Sequence, residues 1–155
     1  MSVITISAIK ADIGGYVGHS TAHRDLMAEA QRRVAGAIEQ EVLIDAAANS
    51  CGDDVNLVMT HRHGADAEPV HHFEWDTFVA LTEVTKRLHV RGSGQDLLAV
   101  AFSGNVRGSG PGVAEIEIYE RPAEPFIAFA AHRTSPGAGT CRCTRSLPTR
   151  STPPS

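Results

Sequence analysis

The chain has 155 residues, a length typical of one domain that can bury a sizeable core. Its 14 basic and 18 acidic residues give a formal net charge of −4, so no nucleic-acid partner is expected. No signal-peptide pattern and no apolar run of membrane-spanning length is visible, which predicts no membrane association. The three cysteines have no disulfide-like spacing, and this pattern favours the cytoplasm.

The chain opens with a predicted strand and helix. Polar and apolar residues alternate over 2–11, which indicates a strand, and a glycine-rich loop follows over 12–19. A helix is predicted over 23–40, with Ser20 or Thr21 as its N-cap. The apolar stripe of this helix consists of Leu26, Ala30, Val34, Ala37 and Ile38.

A hairpin is predicted next, with strands over 42–48 and 55–61 on either side of Cys51-Gly52-Asp53-Asp54. Neighbouring side chains of a regular strand point to opposite faces, so two adjacent aspartates converge only at a turn or bulge, which Gly52 permits. Converging carboxylates repel, and a hard divalent cation relieves that repulsion. A simple polar hairpin turn is the alternative for this tetrapeptide.

The second half of the chain predicts one more helix and two strands. Pro69 suits the first turn of the helix, and strands are predicted over 113–119 and 126–131 after glycine-rich loops. The apolar positions of the helix are Trp75, Phe78, Val79, Leu81, Val84 and Leu88. The element order predicts an α+β fold, a mainly antiparallel or mixed sheet with both helices on one face.

Several loop residues are candidate ligands beside Asp53 and Asp54. Asp12 ends the first strand, His19 ends the loop after it, and Gln95 lies in a later glycine-rich loop. Oxygen ligands with one imidazole suit Mg²⁺ or Mn²⁺ better than zinc. The Gly104-Asn105 segment, with its backbone amides, suits a phosphate. Taken singly, each of these residues also fits an ordinary loop or surface role.

Taken together and in order, these segments resemble one family. They are Ile9-Lys-Ala-Asp-Ile-Gly-Gly15, Gly18-His19, Gly52-Asp-Asp54, Met59-Thr-His61, Gly94-Gln-Asp-Leu-Leu98 and Phe102-Ser-Gly-Asn-Val-Arg-Gly-Ser-Gly-Pro-Gly-Val-Ala-Glu115. The family is the bifunctional fructose-1,6-bisphosphate aldolase/phosphatases of archaea and deep-branching bacteria, also called class V fructose-1,6-bisphosphatases. The resemblance runs from about residue 4 to 138.

The resemblance implies a Mg²⁺-dependent, cytoplasmic, gluconeogenic enzyme that hydrolyses fructose 1,6-bisphosphate, with a phosphosugar as its small-molecule partner. It also implies a four-layer α-β-β-α sandwich and a homo-octamer. Asp12 matches the general base and a metal ligand, and His19 matches a ligand of metal and substrate. The remaining matches are the metal ligands Asp53, Asp54 and Gln95 and the phosphate-loop residues Gly104 and Asn105.

Three features depart from the family pattern. The family motif Ala-Asp-Lys-Thr, which contributes a metal-binding aspartate and a substrate-binding lysine, reads Ala131-His132-Arg133-Thr134 here. Arg91 replaces a substrate-contacting tyrosine four residues before Gln95. The Schiff-base lysine, its tyrosine partner and a further metal-binding aspartate belong to a later part of the family pattern that nothing here matches, so the chain shows no aldolase nucleophile.

The resemblance divides the chain into 1–138, an N-terminal part of the family domain, and a tail over 139–155. The tail lacks acidic residues and periodicity, which predicts disorder. Its abrupt change of composition suggests a shifted reading frame, with no role for Cys141 or Cys143. The alternative function is that of an inactive truncated fragment, or a pseudoenzyme that binds a metal or a phosphosugar without catalysis.

Overall fold

The structure, a computed structural model, describes residues 2–16, 21–90, 112–121, 126–130 and 141–143. The strands are β1 (Val3–Asp12), β2 (Asp45–Cys51), β3 (Asp54–His61), β4 (Gly112–Tyr119), β5 (Ala128–Ala130) and β6 (Cys141–Cys143). The helices are α1 (Arg24–Glu39) and α2 (Glu68–Leu88). No helix in the described part of the chain has the length and apolar character that crossing a bilayer requires.

Four strands form one sheet in the order β2-β3-β1-β4, and every neighbouring pair is antiparallel. The short strands β5 and β6 pair separately with each other. Two helices with an antiparallel sheet make this an α+β fold, as predicted.

The sheet has a helix face and an open face. Because paired residues of antiparallel strands share a face, the register places Ile9 of β1 beside Leu57 of β3 and Ala48 of β2. These three belong to the buried apolar cluster that also contains Leu26 of α1 and Phe78 of α2. Both helices therefore pack on this helix face. The opposite side, the open face, carries the alternate residues of each strand.

Helix α1 begins and ends close to its predicted bounds, but its cap differs from the prediction. The N-cap is His23, whose Nδ1 accepts a hydrogen bond from the backbone N–H of Asp25 at 3.1 Å, rather than Ser20 or Thr21. A ring nitrogen performs here the task that a hydroxyl oxygen usually performs.

Strand β2 begins three residues later than predicted. Glu41 adopts a left-handed conformation with φ of 58°, and the N–H groups of Val42 and Leu43 donate to the carbonyl of Ala37. These two apolar residues therefore close the end of α1, and the extended pairing with β3 starts only at Asp45.

Helix α2 buries a partly different set of residues from the predicted stripe. Phe78, Leu81 and Val84 are buried as predicted, whereas Val79 is 39% exposed. Glu74, which the apolar pattern does not include, is only 1% exposed. The buried face of α2 is thus rotated towards a polar part of the sheet.

Towards the end of the chain, one predicted strand begins later than expected, and one strand is present that was not predicted. Of the predicted strand over 126–131, the structure describes 126–130, and β5 covers Ala128–Ala130 of these. Strand β6, Cys141–Cys143, lies in the tail whose composition predicts disorder, and the structure differs from that expectation at these three residues. Backbone hydrogen bonding to β5 forms this pair and does not depend on side-chain composition. The domain boundary after residue 138 stays a prediction.

Candidate metal and phosphate site

The Cys51–Asp54 segment is a two-residue hairpin turn. Cys51 and Asp54 are paired, and Gly52 and Asp53 form the loop between β2 and β3. Gly52 has φ of 63°, and Asp53 is not among the residues with positive φ. Glycine at the first loop position is typical of the type II′ turn, whose twist matches that of the flanking strands. The turn therefore places one aspartate in the loop and the next at the start of β3.

Asp54 lies directly opposite Asp12 on the open face. The two residues are register partners across β3 and β1, which brings their Cβ atoms to about 4.5–5.5 Å. Asp54 is 2% exposed, and the ammonium group of Lys10 forms an ion pair with its Oδ2. Burial of a carboxylate requires such compensation, so Lys10 is part of the reason that Asp54 can be buried.

Asp53 is fully buried against the backbone of Gly15. A Cβ atom on Gly15 would lie 2.4 Å from Cβ of Asp53 and 3.1 Å from its Oδ2. No side chain fits at that distance, so Gly15 is required for the close approach of the glycine-rich loop to the hairpin turn.

The carboxylate of Asp12 is oriented by the loop that follows it. Its Oδ1 accepts a hydrogen bond from the backbone N–H of Gly14 at 3.0 Å, an arrangement typical of an Asx turn. The bond fixes the side chain at the point where β1 ends, on the same face as Asp54.

Only part of the predicted site falls within the described residues. Asp12, Asp53 and Asp54 gather at one end of the sheet, but the part of the chain that the structure describes holds no group of three or more His, Cys, Asp or Glu that could bind a metal ion. The other predicted site residues lie outside the described residues: His19, Arg91, Gln95, Gly104, Asn105, His132 and Arg133. Their roles stay predictions.

Two residues that hold this site together lie in a segment of the family resemblance but are not among the predicted site residues. Lys10 pairs with Asp54, and Gly15 makes room for Asp53. Lys10 alternates with Asp12 along a strand, so the strand period alone places both on one face. The contact with Gly15 depends on how the loop folds back, which no local pattern signals.

A second polar cluster lies on the helix face. Ser7 donates to Oε1 of Glu115 at 2.6 Å, and its Oγ lies 2.8 Å from Nε2 of His61. Nε2 of His71 lies 3.3 Å from Oε1 of Glu115. The backbone N–H of Asp66 donates to Oε2 of Glu115 at 2.6 Å. Burial raises the pKa of Glu115, but these hydrogen bonds outweigh it and hold that pKa below the ordinary value.

Glu74 of α2 lies beside this cluster and, unlike Glu115, has a raised pKa. Neither of its carboxylate oxygens has a hydrogen-bond partner within the described structure. Burial, and then the charge of Glu115, raise the pKa of Glu74 to about 8. Burial also lowers the pKa of His61, helped by the nearby charge of His63. The cluster thus contains one carboxylate held charged and one carboxyl held neutral near pH 7.

Comparison with known proteins shows what kind of protein carries this acidic hairpin. The fructose-1,6-bisphosphatase family profile matches residues 3–147, which extends past the predicted boundary at 138. Similar proteins include the fructose-1,6-bisphosphate aldolase/phosphatases of Moorella thermoacetica (53% identity), Ignicoccus hospitalis (52%) and Thermococcus kodakarensis (50%). The matches cover 87%, 86% and 87% of this chain, respectively.

The chain thus combines two features. It forms a small α+β domain in which two carboxylates lie opposite each other at a strand end, and most of its length matches one protein family. The chain belongs to the fructose-1,6-bisphosphatase family, in its bifunctional aldolase/phosphatase class. It spans about 35% of the length of the curated relatives that it matches.

Proposed function

We propose that this chain carries a Mg²⁺-dependent phosphatase site that hydrolyses fructose 1,6-bisphosphate to fructose 6-phosphate and phosphate, a reaction of gluconeogenesis. The observation that carries the proposal is the placement of Asp12 opposite Asp54, with Asp53 in the adjoining turn, in a chain of this family. Carboxylates at the end of a sheet are suitable groups for a reaction on a phosphate ester when a divalent cation neutralises the charge.

The donor groups suit the proposed metal in kind. Mg²⁺ prefers hard oxygen ligands, and Asp12, Asp53 and Asp54 supply carboxylates within one strand end and one turn. His19, Gln95 and His132 would complete the ligand set, and Mn²⁺ could take the place of Mg²⁺. When bound, the ion supplies positive charge that stabilises the phosphate and the developing oxyanion.

The protein residues would orient the substrate and move one proton. Asp12, fixed by the Gly14 N–H, accepts a proton from the attacking water as general base. Gly104 and Asn105 bind the phosphate through a glycine-rich loop. Arg133 can hold a phosphate in place of the family lysine, and His19 and Arg91 are the further substrate contacts.

Three finer features belong to the same proposal. The second sheet and outer helices of a four-layer sandwich would cover the open face, and the assembly would be a homo-octamer. The aldol condensation is not proposed for this chain, because no residue in it matches the Schiff-base lysine of the family.

Phosphate release from fructose 1,6-bisphosphate tests the proposal. We expect release that depends on Mg²⁺, stops with a chelator, and falls at least about a hundredfold in Asp12→Asn, because a general base contributes about 10²–10⁴-fold. Asp76→Asn, which changes an exposed aspartate on α2, is the matched control and should retain full release. Equal release by Asp12→Asn and the parent chain would refute the role of Asp12.

A second candidate function is binding without catalysis. The ion pair between Lys10 and Asp54 already neutralises one proposed ligand, which favours a chain that binds a metal or a phosphosugar weakly. Mg²⁺ binding without any phosphate release would support this alternative over the phosphatase.

A further inference from the structure

The loop between β3 and α2 is bound to β4 through two glutamates over residues 62–66. Oε2 of Glu115 accepts a hydrogen bond from the backbone N–H of Asp66 at 2.6 Å. Oε1 of Glu117 accepts one from the backbone N–H of Ala65 at 3.0 Å. An ionised carboxylate accepts such bonds more strongly than a neutral carboxyl group, so both contacts weaken when the glutamates take up protons.

The backbone of this loop is strained. Asp66 has φ of 57°, in the left-handed region that favours glycine, and Gly64 has φ of 85°. A residue other than glycine pays free energy for this conformation and keeps it where surrounding contacts hold it. The residue that carries the strain, Asp66, is also the one whose N–H is bound by Glu115. Loss of that bond would let the loop relax into another conformation.

A chain of hydrogen bonds connects the same loop to Glu115 across the sheet. The backbone N–H of His63 donates to Nδ1 of His61 at 3.4 Å, so the proton of the neutral ring lies on Nε2. Nε2 therefore donates to Oγ of Ser7 at 2.8 Å, and the Ser7 hydroxyl donates to Oε1 of Glu115 at 2.6 Å. A second proton on His61 would lie on Nδ1 and face the N–H of His63, donor against donor. The chain thus requires a neutral His61 and a charged Glu115.

The titratable groups around the chain determine how it responds to pH. Burial, helped by the charge of His63, lowers the pKa of His61, and the hydrogen bonds of Glu115 outweigh its burial and lower its pKa as well. Both groups therefore take up a proton more readily once the chain is broken, so acid favours the broken arrangement. On α2, a protonated His71 would hold the carboxylate of Glu115, and Glu74 stays neutral up to about pH 8. The other charged groups around the loop are Arg62, Asp66, Glu117 and Glu120.

We propose that residues 62–66 and β4 form a latch that opens in acid, when His61 and Glu115 take up protons and the strained loop leaves the strand. In the described sheet β4 has one neighbouring strand, β1, so the loop is its second attachment. Opening the latch would loosen β4 while α2 stays packed on the sheet. The latch lies at the opposite end of β3 from Asp54, and the proposal does not depend on the proposed phosphatase site.

Amide hydrogen exchange of the full chain, followed by NMR at pH 7 and pH 5, tests the latch. Protection factors, which correct for the intrinsic pH dependence of exchange, are compared for Ala65, Asp66 and Leu57 in the middle of β3. Uptake of one proton on opening shifts the opening equilibrium by up to about tenfold per pH unit below about 6.5, the ordinary pKa of histidine. We expect protection of Ala65 and Asp66 to fall about tenfold from pH 7 to pH 5. Protection of Leu57 should not fall, because the proton on Glu74 stabilises the whole fold as the pH decreases.

Glu115→Gln is the decisive variant, and Glu83→Gln, at an exposed position on α2, is its matched control. Glutamine keeps the shape of the side chain but removes its charge, so protection of Ala65 and Asp66 should already be low at pH 7, as it is not in the control. Asp66→Gly should have the opposite effect and raise the protection of Ala65 at pH 5, because glycine adopts the left-handed conformation without strain.

Long-range ¹H–¹⁵N spectra of the histidine rings give a second readout, in which we expect the proton of His61 on Nε2 at pH 7. Three results with the parent chain would overturn the latch: equal protection of Ala65 and Asp66 at both pH values, a parallel fall at Leu57, or a proton on Nδ1 of His61 at pH 7. These results decide the proposal even if Glu115→Gln does not fold. Full protection of Asp66 in a folded Glu115→Gln chain would also overturn it.

Discussion

The contribution of Glu74 to the free energy of unfolding should fall as the pH rises from about 4.5 towards about 8, and Glu74→Gln should remove that fall. The pKa of Glu74 is raised from 4.5 to about 8, so between these values the folded state keeps a proton that the unfolded state loses. Stability from this group is therefore fully present below pH 4.5 and is lost as the pH rises. At about 1.4 kcal/mol per pH unit, the loss reaches roughly 3 kcal/mol by pH 7.

Urea denaturation of the parent chain and Glu74→Gln at pH 5, 7 and 8 measures this effect. Glu83→Gln is the matched control, because Glu83 lies on the same helix and is exposed. We expect Glu74→Gln to be more stable than the parent by roughly 3 kcal/mol at pH 7, with little difference at pH 5. Parallel pH profiles for the parent and Glu74→Gln would mean that Glu74 is not held protonated in the fold.

Gly15→Ala should disrupt the acidic hairpin. The new methyl group would lie 2.4 Å from Cβ of Asp53, far inside van der Waals contact, and the nearest atoms are held close to the backbone. Overpacking of this kind costs about 1–3 kcal/mol, so either the loop or Asp53 must move. We expect a lowered melting temperature and a Mg²⁺ affinity reduced by roughly tenfold, or about 1.4 kcal/mol.

Gly36→Ala provides the control with the opposite expected sign. Gly36 lies within α1, and a Cβ atom there would meet nothing within 4 Å. Alanine in a helix interior is favoured over glycine by about 0.5–1 kcal/mol, so this variant should be slightly more stable with unchanged Mg²⁺ affinity. If Gly15→Ala behaved like Gly36→Ala, the close packing between Gly15 and Asp53 would be wrong.

The elements that the sequence predicted well have long, uniform periods. The alternation of β1 continues over the whole strand, and the helical spacing continues from Leu26 to Ala37. A single residue that departs from such a long pattern does not change the predicted element. The predicted start of β2 was wrong because Val42 and Leu43 do not belong to the strand. Their backbone N–H groups close the C-terminal end of α1. Apolar character alone does not distinguish a strand from a helix-terminating turn.

The site was predictable to the extent that it depends on chain order. Gly52 between two apolar runs predicts a hairpin, and the hairpin sets Asp54 at the start of β3. The opposition of Asp12 and Asp54 depends on the pairing register of β1 with β3, which no short turn fixes because α1 and β2 lie between these strands in the chain. The burial of Glu74 could not be predicted from the local sequence pattern either. A carboxyl group on a helix becomes buried only where tertiary packing holds it neutral.

Calorimetric titration with Mg²⁺ tests most directly the claim that the hairpin carboxylates form a metal site. The parent chain is compared with Asp53→Asn and Asp54→Asn, and with Asp76→Asn as the control at an exposed position. We predict saturable Mg²⁺ binding that each hairpin variant weakens by roughly tenfold and that the control leaves unchanged. Equal Mg²⁺ affinity in the parent and both hairpin variants would contradict the assignment of Asp53 and Asp54 as metal ligands.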